Sequence, residues 1–284
     1  MGDINSSKRP RQFSLGLYLL IVFGISWPFQ IVSAIWATDL LSRYVLNASA
    51  MIMVGVGTFI VGRYIFRDGF TNAGWQWGKL KHYLVVLGLV FLLWIFPTLI
   101  RLAVGTLEPG DLDRTKIVWL FVLPLVTLIP GFGEEFGWRG YMLPHLAHRM
   151  SVRKAVALHA LIWWAWHLPL LVGTGVQAGV AGAAETNLPV ALSVVIVVAA
   201  VVIVGAIPSI MHGIVFAYIW VRSESLAVAT VYHAAYDGVR DSLGMVAGLP
   251  SMVGLWANML LMILGIAFLW KGNWKKLEEK SSSN

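Results

Sequence analysis

The feature that most limits what this chain can become is its succession of long apolar runs, at about 14–38, 44–66, 82–107, 116–133, 154–174, 188–221, 225–239 and 251–270. Several of them exceed the roughly 18 residues that mark a membrane-spanning helix. In lipid a backbone must pair its own polar groups, so each run is expected to be helical. Charge agrees with this: 12% of the 284 residues are charged, where a soluble domain carries about 25%. The expected fold class is all-α, a polytopic membrane protein with about eight transmembrane helices. Residues 1–13 would form an N-terminal tail, 14–270 a single transmembrane helical domain, and 271–284 a solvated, frayed C-terminal tail. With no cysteine in the chain, disulfides, thiolate catalysis and Cys-bound zinc are excluded.

The basic residues orient these spans. If the N-terminus is cytoplasmic, fifteen lysines and arginines fall inside, at Lys8–Arg11, Arg63–Lys81, Arg149–Lys154, Arg222 and Lys271–Lys280. Five fall outside: Arg43, Arg101, Arg114, Lys116 and Arg240. That surplus predicts a multi-pass cell-membrane protein, of the prokaryotic inner-membrane kind, with both termini cytoplasmic. The net charge of +7 then reflects loops facing anionic lipid headgroups and calls for no nucleic-acid partner. The run at 188–221, interrupted by Gly205 and Pro208, is expected as one kinked span.

Ionisable side chains inside such spans are costly, about 2.5–3.5 kcal/mol each at the helix centre, so they persist mainly where they pair or line a cavity. Three clusters stand out: Glu134-Glu135 with Arg139 at the end of the fourth run, Trp163 with His167 in the fifth, and His233 with Asp237 in the seventh. Glu135 and Arg139 are four residues apart, so the guanidinium can neutralise that carboxylate. Glu134 is rotated by about 100° and has no such local partner, which suits a general base facing a wet cavity. His233 and Asp237 repeat the spacing, so the carboxyl is expected to hold one ring nitrogen while the other points into the cavity. Counting residues from the cytoplasmic ends places Glu134 near the end of its span and both imidazoles in the inner half of the membrane. The site is then expected to open as a funnel on the cytoplasmic side.

Other notable residues have plainer expectations. His159 and His212 suit packing or helix bridging, and His82, His145 and His148 suit loops or interfaces. Trp163, Trp164 and Trp166 suit packing and interfacial anchoring. Gly131, Gly133, Gly137 and Gly140 suit close helix approach. Asn47-Ala48-Ser49 is a glycosylation sequon by letter only.

The pattern Glu134-Glu135-x-x-x-Arg139, Trp163-x-x-x-His167, His233-x-x-x-Asp237 resembles the CPBP family, the CAAX proteases and bacteriocin-processing enzymes also called the Abi family. The stretch Gly133–Tyr141 and Trp166-His167-Leu168-Pro169-Leu170 are similar to its bacterial members. Trp163 stands where Phe is usual, and Asp237 where many members have Asn. The resemblance implies an intramembrane endopeptidase of the glutamic type, with its catalytic core at about 116–240. Carried over by position, Glu134 and His167 would activate a water and His233 with Asp237 would serve the oxyanion, Asp237 orienting His233 or donating if protonated. Glu135 and Arg139 complete the motif. No cofactor and no metal are implied. The expected partners are a peptide or membrane-protein substrate, lipidated or not, together with membrane lipids; oligomeric state is left open. The alternatives are a zinc protease of the same fold using Glu134, His167 and His233, or a noncatalytic membrane protein serving binding, immunity or transport.

Overall fold

The computed structural model describes residues 12–37, 39–248 and 251–282. Among these the chain is helical, without strands. The helices are α1 (Leu15–Trp36), α2 (Leu41–Ile65), α3 (Leu80–Ala103), α4 (Arg114–Ala147), α5 (Val152–Trp166), α6 (Leu168–Thr186), α7 (Val190–Ser223), α8 (Leu226–Ala247), α9 (Ser251–Lys271) and α10 (Lys275–Ser282). Six of them are long and apolar enough to cross a membrane singly. The pair α5 and α6, bent by 47° at His167, makes a seventh if the two together form one span. Helix α8 has the length of a span but carries His233, Asp237, Arg240 and Asp241, which lower its hydropathy. Six or seven candidate crossings are roughly consistent with the expected eight, and the run expected at 188–221 is one helix, Val190–Ser223, with Pro208 inside it.

Several expected boundaries were too short. The fourth span runs to Ala147, beyond the anticipated 133, because the polar-looking segment 134–147 is buried against α1, α2 and the loop before α3. Glu134 therefore sits near mid-span, opposite the middle of α2, and not near the helix end. The C-terminal tail is also corrected. Within it α10 packs back on the bundle, with Trp274 and Leu277 buried and Lys276 paired with Glu224.

The interior is organised around α4, which packs on α2 and α8, while α7 packs on α5, α6 and α9. The α2–α4 approach is set by glycine. A Cβ on Gly133 would lie 2.7 Å from the Met51 carbonyl oxygen, and one on Gly137 would lie 2.5 Å from Val54. Only residues without a side chain let these backbones meet. From Phe136 to Met142 the helix widens into a π-helical stretch, a departure that often marks functional segments.

The two ends of the bundle are distinct. At the end bearing the first and last described residues, Arg149 donates to the Phe13 carbonyl, Trp220 donates to the Ala73 carbonyl at 3.1 Å, and a bridge joins Trp75 to Ser225. At the opposite end, the Asp113 amide donates to Val246 at 2.9 Å and Arg101 to Gly248 at 3.3 Å.

Candidate active site

Three helices bring the ionisable residues together. Glu135 and Arg139, both fully buried, form the expected i,i+4 pair at 2.9 Å. The guanidinium lies over the rings of Phe216 (4.3 Å) and Trp163 (4.9 Å), contacts that help hold a buried cation. Its Nε and Nη2, like Glu135 Oε2, have no hydrogen-bond partner among the described residues. A buried pair with so much unmet polar capacity is a poor stabiliser by itself, so its position beside a cavity is informative.

The same Glu135 Oε1 also meets His233 Nδ1 at 2.8 Å. On the other side of that ring, Nε2 lies 3.3 Å from Asp237 Oδ2, whose partner oxygen accepts from Arg240 at 2.9 Å. The expectation that one His233 nitrogen points free into a cavity is thus corrected, since a carboxylate from another helix takes it. Spacing along α8 could not show a partner supplied by α4. Only a doubly protonated ring donates to both oxygens. The result is a continuous chain Arg139–Glu135–His233–Asp237–Arg240 crossing from α4 to α8.

Glu134, with 2% of its surface exposed, lies outside that chain. Its Oε2 accepts a hydrogen bond of 3.0 Å from Trp163 Nε1. Trp163 therefore does more than pack, and the sequence signal for this was its substitution for a Phe that has no donor. His167 sits at the hinge between α5 and α6, where Leu168-Pro169 begins the new helix. Its Nδ1 faces the Trp163 carbonyl at 2.8 Å. That carbonyl can only accept, so Nδ1 carries a proton and, in the neutral ring, Nε2 has the lone pair.

Glu134 and His167 line one cavity of about 390 Å³, with Tyr44, Thr127, Asp237 and Arg240 also in its wall. A second, of about 180 Å³, is lined by His167, His212, His233, Asp237 and Arg240 among others. His167, Asp237 and Arg240 face both. The larger cavity reaches Tyr44 and Asn47 in the first turns of α2, Thr174 on α6 and Asp241 on α8, all toward the end away from the termini. Toward the termini the way is filled by Tyr18, Trp138 and Tyr141, none more than 1% exposed. The larger cavity thus extends away from the end that bears the first and last described residues, the opposite of the expected funnel.

The remaining histidines divide. His212 hydrogen-bonds Tyr232 at 3.0 Å and faces the smaller cavity, so it helps bridge α7 and α8 as anticipated. His159 is fully buried with neither ring nitrogen partnered among the described residues. His145 joins Asp68 and Tyr141 near the terminal end of the bundle. Among the described residues no three His, Asp or Glu side chains are grouped to hold a metal ion.

Residues 116–239, which include all six candidate residues, match the family model of the type II CAAX prenyl endopeptidase Rce1-like proteins. That match covers less than half of the chain. A curated relative, CAAX prenyl protease 2 of Methanococcus maripaludis, is 46% identical over 50 residues, a stretch spanning 18% of this chain and 18% of that protein. The family match falls on the helices that carry the buried ionisable residues.

Proposed function

We propose that this protein is an intramembrane endopeptidase that hydrolyses a peptide bond with a water activated by Glu134 and His167. The observation that carries the proposal is the shared cavity: a carboxylate and a histidine with its Nε2 lone pair line one space large enough for a peptide segment. Glu134 takes the water's proton as oxygen attacks the scissile carbonyl. His167, held in one tautomer by the Trp163 carbonyl, orients that water and relays the proton toward the leaving amine. The charge that develops on the carbonyl oxygen needs a donor, and we assign this role to His233 Nε2, whose 3.3 Å contact with Asp237 is the longest in its network and gives way to the oxyanion when substrate binds. Asp237, fixed by Arg240, orients the ring and acts as an anion rather than as a donor.

Glu135 and Arg139 hold the opposite side of His233 and act through it as positioning residues. The substrate class is a peptide or a membrane-protein segment. Mass spectrometry of cleavage products in native membranes tests the proposal: the products should vanish with Glu134→Gln while that variant folds and accumulates normally. Unchanged products from a folded Glu134→Gln protein would sink it.

A further inference from the structure

The direction of the larger cavity and the distribution of charge together bear on the side from which the site is served. Of the lysines and arginines with described side chains, eleven lie at the end of the bundle that bears the first and last described residues, against five at the other. Cytoplasmic loops carry such a surplus, so the terminal end faces the cytoplasm. The cavity departs the opposite way. Tyr44 stands about 5 Å and Asp241 about 9 Å along their helices from that far end, by the rise of 1.5 Å per residue. Both line the cavity, as do Asn47 and Thr174. On the cytoplasmic side, buried Tyr18, Trp138 and Tyr141 close the interior.

We infer that the active site opens to the extracytoplasmic face, so that its substrate is a polypeptide segment exposed on the outer side of the membrane. A secreted or membrane-tethered chain, after export, meets that requirement; a tail that stays in the cytosol does not. The rim suits a peptide backbone. Tyr44, Asn47 and Thr174 offer uncharged hydrogen-bonding groups, and Asn47 Oδ1 has no partner among the described residues, leaving an acceptor for a peptide N–H. The substrate part of this inference rests on the proposed peptidase activity; the direction of opening does not.

The chain contains no cysteine, so single cysteines can be placed in it without a background. Ala48→Cys and Thr174→Cys probe the cavity wall, Gly110→Cys the far loops, and Lys275→Cys the terminal end. Intact cells are treated with a membrane-impermeant maleimide. Gly110→Cys and at least one cavity probe should be modified from outside, and Lys275→Cys only after permeabilisation. Bulky external modification of the cavity cysteine should lower cleavage at least tenfold. The inference is overturned if Lys275→Cys reacts from outside, or if neither cavity probe reacts until the membrane is opened. Labelling does not depend on turnover. If the labelling is as expected and Glu134→Gln still cleaves, the direction of opening stands and the peptidase proposal, with its substrate, falls.

Discussion

Helix α4 carries two acid–histidine clusters, and they use similar residues to different effect. Near mid-span, Glu135 joins Arg139 to His233 with almost no surface exposed, and the neighbouring Glu134 lines a cavity of about 390 Å³. Two turns further on, Tyr141 and His145 meet Asp68 with both His145 and Asp68 side chains more than a fifth exposed, beside a pocket of about 100 Å³. In the second cluster every polar group is satisfied: Tyr141 donates to both Asp68 oxygens at 2.9 and 3.0 Å, and His145 uses one nitrogen on Asp68 and the other on the Tyr141 carbonyl, each at 2.8 Å. In the first, Glu135 and Arg139 keep buried atoms without partners, and His167 keeps a lone pair toward the cavity. A saturated cluster at the edge ties a loop to a helix, whereas the one in the middle keeps unmet polar capacity beside a cavity, which is what the proposed chemistry requires.

The sharpest break of that contrast would come from Glu134. Removing its charge with Glu134→Gln should lower the cleavage rate by about 10²–10⁴, the range typical of a general base, with little change in thermal stability, measured as initial rates on detergent-purified protein. Next is Glu135→Ala, expected to destabilise the fold by about 3–5 kcal/mol, because Arg139 is left buried and unpaired. Pairing Glu135→Leu with Arg139→Met should recover a large part of that stability and none of the activity, read by unfolding curves and cleavage assays side by side. His233→Ala should reduce kcat by about 10²–10³, as for loss of an oxyanion donor elsewhere. If it left kcat unchanged, the oxyanion role would be lost to this residue.

How much of this could be read from the chain follows from the range of each signal. Apolar runs are local, so the passes were legible, including Val190–Ser223 as one helix across Pro208. The Glu135–Arg139 pair was legible too, since i,i+4 contact lies within one helix. The extent of α4 was not. Residues 134–147 look interfacial by hydropathy and are buried only because α1, α2 and the preceding loop cover them. Contacts between helices were likewise hidden: Glu135 on His233, Trp163 on Glu134, and the opening of the cavity away from the termini all depend on how distant spans pack. A sharper test of one such contact is Trp163→Phe. It removes the indole donor from Glu134 but keeps an aromatic ring under Arg139, so cleavage should fall by about tenfold or less if a hydrogen bond to a charged group of about 1.5–3 kcal/mol is only partly felt in the transition state. Trp163→Ala, which also removes the ring, should cost far more.

The smallest effect belongs to the edge cluster and is the one that most directly tests the comparison. Asp68→Asn keeps the size of the side chain and a carbonyl oxygen that can still accept from Tyr141, while removing the charge that faces His145. Partly exposed ion pairs of this kind contribute about 0–1 kcal/mol, and His145 keeps its stacking on Phe13 at 4.4 Å and its bond to the Tyr141 carbonyl. Cleavage should therefore be unchanged within error and the melting temperature nearly so. The two clusters share a helix, however, and Tyr141 packs against Tyr18, whose hydroxyl donates to Gly137 at 2.9 Å, within the Glu135–Arg139 turn. If Asp68→Asn lowered cleavage tenfold while stability held, the edge cluster would be tuning the register of α4 at the site, and the division between tether and reactive centre would have to give way to a single coupled unit running along the helix.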